Sequence, residues 1–159
     1  MKTLGLLTVL LPASAICFVL STTRAVEAQA DKLPEAPGKA TVVAVCSSCH
    51  GSEVMTDAPR TVAGWIDVTL SMKDFGAVAT DAEWKTVNDY LVANLALLEV
   101  NKAEAAHVQL VLGVTEAVAQ DVVAYRDKQG GFKTIDDLKK APGLDAAKID
   151  ALKERLLFR

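Results

Sequence analysis

The chain has few side chains that bind transition metals, since its 159 residues include only three cysteines and two histidines. After residue 30 there remain Cys46, Cys49, His50 and His107. A tetrahedral zinc site needs four ligands, and Cys46, Cys49 and His50 lie close together in the chain. His107 lies far from them, so such a site would have to recruit carboxylates. The chain also lacks an excess of positive charge, because its formal net charge is −3. That balance counts against a polyanionic partner.

What is present is a C-x-x-C-H pentad, in which Ser47 and Ser48 separate Cys46 from Cys49 and His50 follows at once. At this spacing two thiols attach to one haem, and the adjacent imidazole ligates its iron. We therefore expect one covalently attached haem c. A dithiol redox pair, half of a zinc site and a loop disulfide are the alternatives. A thiol oxidoreductase would need a strand-helix pattern that this region does not supply.

The N-terminus has the pattern of an export signal. Lys2 is followed by an apolar run over residues 4–20 and by small residues around Ala28 and Ala30. This pattern predicts a secretory signal peptide in residues 1–30, a periplasmic or secreted protein, and no stable membrane span after cleavage. An uncleaved membrane anchor is the alternative, for which the run is marginally short.

Residues 31–99 are expected to contain an extended lead-in, residues 31–37, and a helical domain, residues 38–99. We expect a first helix to carry the pentad and a second to run over residues 61–72, where apolar residues recur at helical spacing. A third helix is marked by Thr80 and Glu83, which form a capping box before an apolar stripe that reaches Leu98.

An iron bound by His50 needs a second axial ligand or an open position. Met72 is expected at the end of the second helix, where its thioether would return across the opposite face of the haem. Met55 lies only five residues after His50. That short tether favours a packing role for Met55, so Met72 is the predicted ligand.

This half resembles the small monohaem c-type cytochrome domains related to quinohaemoproteins. The resemblance covers about residues 38–98 and is carried by the pentad together with Arg60, Trp65, Met72, Gly76, Ala77, Thr80, Glu83, Tyr90 and Leu91. It implies an all-helical fold around a haem ligated by His50 and Met72. It further suggests that Arg60 pairs with a propionate and Trp65 packs on the ring. A solvated arginine and an ordinary core tryptophan are the alternatives.

The second half repeats itself after thirty residues. Gly113, Thr115, Ala119 and Val122 of the first copy correspond to Gly143, Asp145, Ile149 and Leu152 of the second. Each copy predicts a helical hairpin with glycine in its turn. The residue after the turn, Thr115 or Asp145, then caps a helix, over residues 116–129 or 146–156. Asn101 is the expected cap of the helix that leads into the first hairpin.

Residues 100–159 therefore form a predicted tandem helix-hairpin-helix domain, which resembles that of competence-type DNA receptors. The residues that carry this resemblance are Asn101, Ala103, Gly113, Tyr125, Arg126, Gly131, Phe132, Asp137, Leu138, Pro142 and Gly143. In that family, backbone amides at the turns hold a DNA phosphate. Here both turns lack the family's second glycine, and Asp145 places a carboxylate at the second turn. Ten bases and nine acids give residues 101–159 a charge of only 10 − 9 = +1, although Lys139, Lys140 and Lys148 cluster near the second hairpin.

Together these patterns predict an all-α fold, a small cytochrome c-like domain followed by the hairpin domain. The predicted function is an exported, non-enzymatic carrier of single electrons between redox proteins, with the hairpins as a docking module. Residues 31–100 contain five bases and ten acids, so we expect a partner with a basic docking face. The alternative is a DNA-binding hairpin protein with a structural or sensory haem. Peroxidase-like activity would require an open iron position.

Overall fold

The computed structural model describes residues 33–159, so the predicted signal peptide and the first two residues of the lead-in lie outside the described part. The helices in this part are α1 (Lys39–Cys46), α2 (Glu53–Thr56), α3 (Val62–Asp74), α4 (Asp81–Leu95), α5 (Ala105–Leu112), α6 (Glu116–Gln129), α7 (Ile135–Leu138) and α8 (Ala146–Ala151), followed by a 3-10 helix (Lys153–Arg155). The strands are β1 (Arg60–Thr61), β2 (Ala96–Glu99) and β3 (Leu156–Leu157). The predicted domain boundary between residues 99 and 100 stays a prediction.

The predicted all-α fold is right only in part, because the three short strands pair in parallel in the order β1-β2-β3. Arg60 lies opposite Ala96, and Leu98 lies opposite Leu156. The apolar stripe was predicted to stay helical as far as Leu98. The helix ends at Leu95, and the backbone adopts an extended conformation from Ala96, where φ is −73° and ψ is 146°. A short apolar run does not distinguish a buried strand from a helix. The strand β2 therefore joins the two halves of the chain.

The helices α3 and α4 begin at side-chain caps. Thr61 accepts a hydrogen bond from the Gly64 amide at 3.2 Å. The predicted capping box of α4 is confirmed, since Thr80 accepts from the Glu83 amide at 3.3 Å and donates its own amide to Glu83 Oε2 at 2.7 Å. The two helices pack against each other, and their buried residues include Val62, Trp65, Thr69, Trp84, Val87 and Leu91. They form the centre of the core in the N-terminal half.

The hairpin half follows the predicted repeat, with α6 at the predicted residues and α8 shorter than predicted. The helix α5 begins after Glu104, whose side chain makes no capping hydrogen bond, and Asn101 lies outside the cap position. The Asn101 amide donates to Phe132 O at 2.9 Å, and its oxygen accepts from the Phe132 amide at 2.7 Å. This side chain thus ties the start of the hairpin half to the loop after α6. The expectation that it caps α5 is wrong.

Arg155 joins the end of the hairpin half to α4. Its guanidinium donates to Val92 O at 3.0 Å, Ala93 O at 2.8 Å and Ala96 O at 2.9 Å. The last carbonyls of a helix have no partner within the helix, so a cation with several N–H groups is well suited to that position. The two halves are therefore in direct contact through both a strand ladder and a helix terminus.

Among residues 33–159, no single helix is both long enough and apolar enough to cross a membrane. The bent pair of α5 and α6, whose axes differ by 118°, reaches that length and composition only when its helices are taken together.

Candidate functional site

An apolar cavity of about 520 Å³ opens between α1, α3 and α4. All six side chains predicted to hold a haem line it, namely Cys46, Cys49, His50, Arg60, Trp65 and Met72. The remaining wall residues are almost all apolar. Cofactor sites commonly have this size and lining. The structure thus brings the predicted residues together, although they come from segments up to 26 residues apart in the chain.

The pentad lies at the end of α1, which stops at Cys46, so Cys49 and His50 occupy the following turn and not the helix expected from the sequence. Nδ1 of His50 lies 3.2 Å from Gly51 O. A metal-ligating imidazole usually makes such a contact with its second nitrogen. Within residues 33–159, however, no three His, Cys, Asp or Glu side chains are grouped closely enough to hold a metal ion.

Burial raises the pKa of the Cys46 thiol above its ordinary value. Reactive dithiol motifs depend on a lowered thiol pKa, because the thiolate is the nucleophile. The environment of Cys46 therefore argues against the dithiol redox alternative.

Arg60 and Trp65 border the same cavity. Trp65 is 1% exposed, and its Nε1 is buried without a hydrogen-bond partner in the described part of the chain. The guanidinium carbon of Arg60 lies 5.8 Å from the Trp65 ring centroid. Buried N–H groups normally have an acceptor. A free indole N–H and an exposed cation therefore suit an occupant that carries carboxylates, as haem does.

The cavity contains two thioethers, not the one that the sequence suggested. Met72 is half-buried near the end of α3, as predicted, and Met55 of α2 is 6% exposed. Both line the cavity. The packing role predicted for Met55 agrees with its burial. The role of Met72 as an iron ligand stays a prediction.

Other wall residues had no separate signal in the sequence. Trp84 and Leu91 belong to the buried stripe of α4, and this pattern does not distinguish a cavity wall from an ordinary core position. The Lys73 ammonium lies 4.9 Å from the Trp84 ring centroid. Phe75 lines the cavity although it is 83% exposed. Aromatic side chains thus surround much of the opening.

The two hairpin turns form the second candidate region. Gly113 and Gly143 have φ values of 59° and 75°, which favour glycine. After the first turn, Thr115 Oγ1 accepts from the Val118 amide at 3.4 Å. After the second, Asp145 Oδ1 accepts from the Lys148 amide at 2.8 Å. Both predicted caps are confirmed.

The predicted lysine cluster near the second hairpin is partly neutralised. Lys139 pairs with Asp136 and Asp150, and Lys140 pairs with Asp137 at 3.0 Å. Lys148 differs, because its ammonium donates to Gly113 O at 2.7 Å. Within residues 33–159 the ammonium of Lys148 has no carboxylate partner.

His107 is half-buried on α5. It lines a smaller cavity of about 220 Å³ together with Glu99, Lys102 and Glu104. These residues lie where the two halves meet, and none of them reaches the larger cavity.

Residues 93–157 match the family described as "Helix-hairpin-helix motif". Similar proteins include the "Endonuclease/exonuclease/phosphatase family domain-containing protein 1" of Danio rerio, 38% identical over 63 residues, which are 40% of this chain and 12% of that protein. The protein of the same name from Homo sapiens is 36% identical over 63 residues, 40% of this chain and 11% of that protein. "ComE operon protein 1" of Bacillus subtilis (strain 168) is 31% identical over 64 residues, 40% of this chain and 31% of that protein. The chain therefore covers less than a third of each of these proteins. No solved structure matches it.

The match confirms the predicted helix-hairpin-helix region, and it overturns the predicted function. The prediction of an electron carrier is wrong. It gave the helix-hairpin-helix region only a docking role, whereas this is the region that the comparisons match. Nothing in the comparisons supports a cytochrome, a haem, electron transfer or a redox partner. The pentad and the side chains that line the cavity do not by themselves identify an electron donor or acceptor.

Proposed function

We propose that this chain binds DNA through its helix-hairpin-helix region. The observation that carries the proposal is the match of residues 93–157 to the helix-hairpin-helix motif. It is supported by the similarity to an "Endonuclease/exonuclease/phosphatase family domain-containing protein 1" and to "ComE operon protein 1". The small net charge counts against DNA as a partner, but the family match outweighs it.

The first hairpin supplies donors of the kind that hold a phosphate. Thr115 accepts only the Val118 amide, so in the described part of the chain the Glu116 and Ala117 amides at the start of α6 have no acceptor. Such amides, together with the positive end of the helix dipole, favour an anion. Contacts of this type go to the DNA backbone and read no sequence. We therefore propose binding that is largely independent of sequence.

The small net charge sets the expected strength. With +1 over residues 101–159, few phosphates are neutralised, and each contributes a slope of about −0.9 to the dependence of log K on log salt concentration. We expect weak binding with a shallow salt dependence.

Fluorescence anisotropy with the purified full chain and a labelled DNA duplex tests this proposal. The expected result is saturable binding at low salt that weakens as salt increases, with similar affinity for duplexes of unrelated sequence. Absence of binding at low salt, where phosphate contacts are strongest, would contradict the proposal.

We further propose that the cavity holds one covalently attached haem c with a structural or sensory role. Cys46 and Cys49 would attach it, His50 and Met72 would ligate its iron, and Arg60 would face a carboxylate. Such a haem would supply an iron centre whose ligation and oxidation state respond to the surroundings. The free Trp65 N–H and the apolar wall support the fit.

Absorption spectra and intact-protein mass spectrometry test the haem proposal. The chain would be produced in a host that attaches haem covalently, beside a Cys46→Ser/Cys49→Ser variant. The expected result is a mass increase by one haem in the first protein only. An unmodified wild-type chain in that host would contradict it. We propose a binding function with no enzymatic step.

We also propose export to the periplasm or beyond the cell, on the basis of the signal pattern in residues 1–30. The mass of the mature chain tests this, since cleavage after Ala30 would leave 159 − 30 = 129 residues. A full-length mass in the host cytoplasm would contradict it.

A further inference from the structure

The two hairpins contact each other through equivalent positions of the thirty-residue repeat. Lys148, at the start of α8, donates to Gly113 O in the first turn at 2.7 Å. Its counterpart Val118, at the start of α6, lies against Gly143 in the second turn, where a Cβ on the glycine would come within 2.9 Å of a Val118 methyl group. One position of the repeat therefore places an ammonium group at one turn and an isopropyl group at the other.

The caps differ in the same direction. The first turn is followed by Thr115, a neutral cap, and the second by Asp145, a carboxylate. Both differences make the first turn more positive than the second. Two hairpins that held a phosphate in the same way would not need to differ at the cap or at the residue that contacts the neighbouring turn.

The ammonium of Lys148 has N–H donors that its bond to the first turn does not use. An ammonium group has three N–H donors, and Gly113 O uses one of them. The side chain is exposed, and its charge is not compensated by a carboxylate within residues 33–159. Lys139 and Lys140 nearby are already paired with acids.

We propose that the two hairpins are unequal, so that the first turn alone holds the DNA backbone and Lys148 of the second hairpin supplies the cation there. The second hairpin acts as a support that places this ammonium at its neighbour's turn. Asp145 excludes a phosphate from the second turn by its charge. This inference rests on the proposed DNA binding and adds which turn and which side chain carry it.

The alternative is a purely structural role, in which Lys148 only holds the two hairpins together through its hydrogen bond to Gly113 O. The two roles predict different salt dependences of DNA binding, because a purely structural lysine neutralises no phosphate. Lys148→Gln keeps a donor for Gly113 O and removes the charge. Thr115→Asp keeps a good helix cap and places a carboxylate at the first turn, as in the second.

The experiment measures DNA affinity against salt concentration for wild type and these two variants. Lys128→Gln is the matched control, because this exposed lysine lies near the far end of α6, about 18 Å from its start. For Lys148→Gln we expect binding weaker by roughly three- to tenfold at low salt, and a salt slope smaller by about one. Thr115→Asp should weaken binding at least as much. Melting temperatures check that all variants remain folded.

The outcomes separate this inference from the proposed function. Wild-type binding with unchanged affinity and slope in Lys148→Gln and Thr115→Asp would overturn the unequal hairpins and leave DNA binding intact. An equal loss in Lys128→Gln would also overturn them, since any lysine would then serve. Absence of wild-type binding would overturn both proposals.

Discussion

Replacing Arg155 by methionine tests whether the contact between the two halves stabilises the fold. The guanidinium donates to three carbonyl oxygens of α4 and β2, Val92, Ala93 and Ala96, at 2.8 to 3.0 Å. Methionine keeps most of the apolar stem and removes all three donors. The side chain is half-buried, so water replaces those donors only in part.

The expected loss follows from these contacts. A hydrogen bond that involves a charged group contributes about 1.5–3 kcal/mol, and contributions from one side chain are not additive. Burial of the guanidinium, which lowers the pKa of Arg155, opposes part of this gain. We therefore expect Arg155→Met to lower the free energy of unfolding by about 2–4 kcal/mol. For a chain of this size that corresponds to a Tm lower by about 4–16 °C.

Urea and thermal unfolding, followed by circular dichroism, measure this loss. Arg159→Met is the matched control, because the Arg159 side chain is 64% exposed and its ion pair with Glu99, at 3.2 Å, lies at the surface, so we expect a change below about 1 kcal/mol. Arg155→Lys should fall between the two, since an ammonium has fewer donors in a different geometry. An Arg155→Met variant as stable as the control would refute the reasoning.

Three further changes have definite expected results. Asn101→Ala should lower the free energy of unfolding by about 1–3 kcal/mol in urea titrations, because both Phe132 backbone groups lose their partner. The pKa of Glu83 is lowered by hydrogen bonds from the Thr80 amide and hydroxyl. Its contribution is therefore complete above the ordinary carboxyl pKa and decreases as the pH falls through the lowered value, so wild type should lose more stability in acid than Glu83→Gln. Trp65→Phe removes an Nε1 that has no partner in the described part of the chain, but it also removes ring volume from a buried site, so we expect a loss of about 1–2 kcal/mol in thermal melts. A loss above about 3 kcal/mol would mean that this N–H has a partner.

Much of the secondary structure was predictable because its signals are local. The caps at Thr80, Thr115 and Asp145, and the length of α6, depend on residues within one or two helical turns. The strands were missed because β2 is defined by partners far along the chain, at Arg60 and Leu156. Asn101 was misjudged for the same reason, since its partner Phe132 lies 31 residues away.

The residues that line the cavity could be predicted from the sequence, but the function of the cavity could not. Spacing and resemblance identified six residues that line one space, namely Cys46, Cys49, His50, Arg60, Trp65 and Met72. That convergence fits the proposed haem, whereas no residue supported the further step to electron transfer. The hairpins presented the opposite case. Their net charge counts against DNA, but a sum over 59 residues does not show that, within residues 33–159, the Lys148 ammonium has no carboxylate partner.

The cavity and the hairpins share structural elements, so their proposed roles are not independent. The helix α4 contributes Trp84 and Leu91 to the cavity wall and carbonyls to Arg155. The strand β1 contributes Arg60 to the cavity, and β2 connects it with β3 at the end of the hairpin half. A group bound in the cavity of the folded chain stabilises every element that unfolds together with that wall. Because Arg155 and β2 join the hairpin half to the wall, we expect attachment of a haem to raise the stability of the hairpins as well.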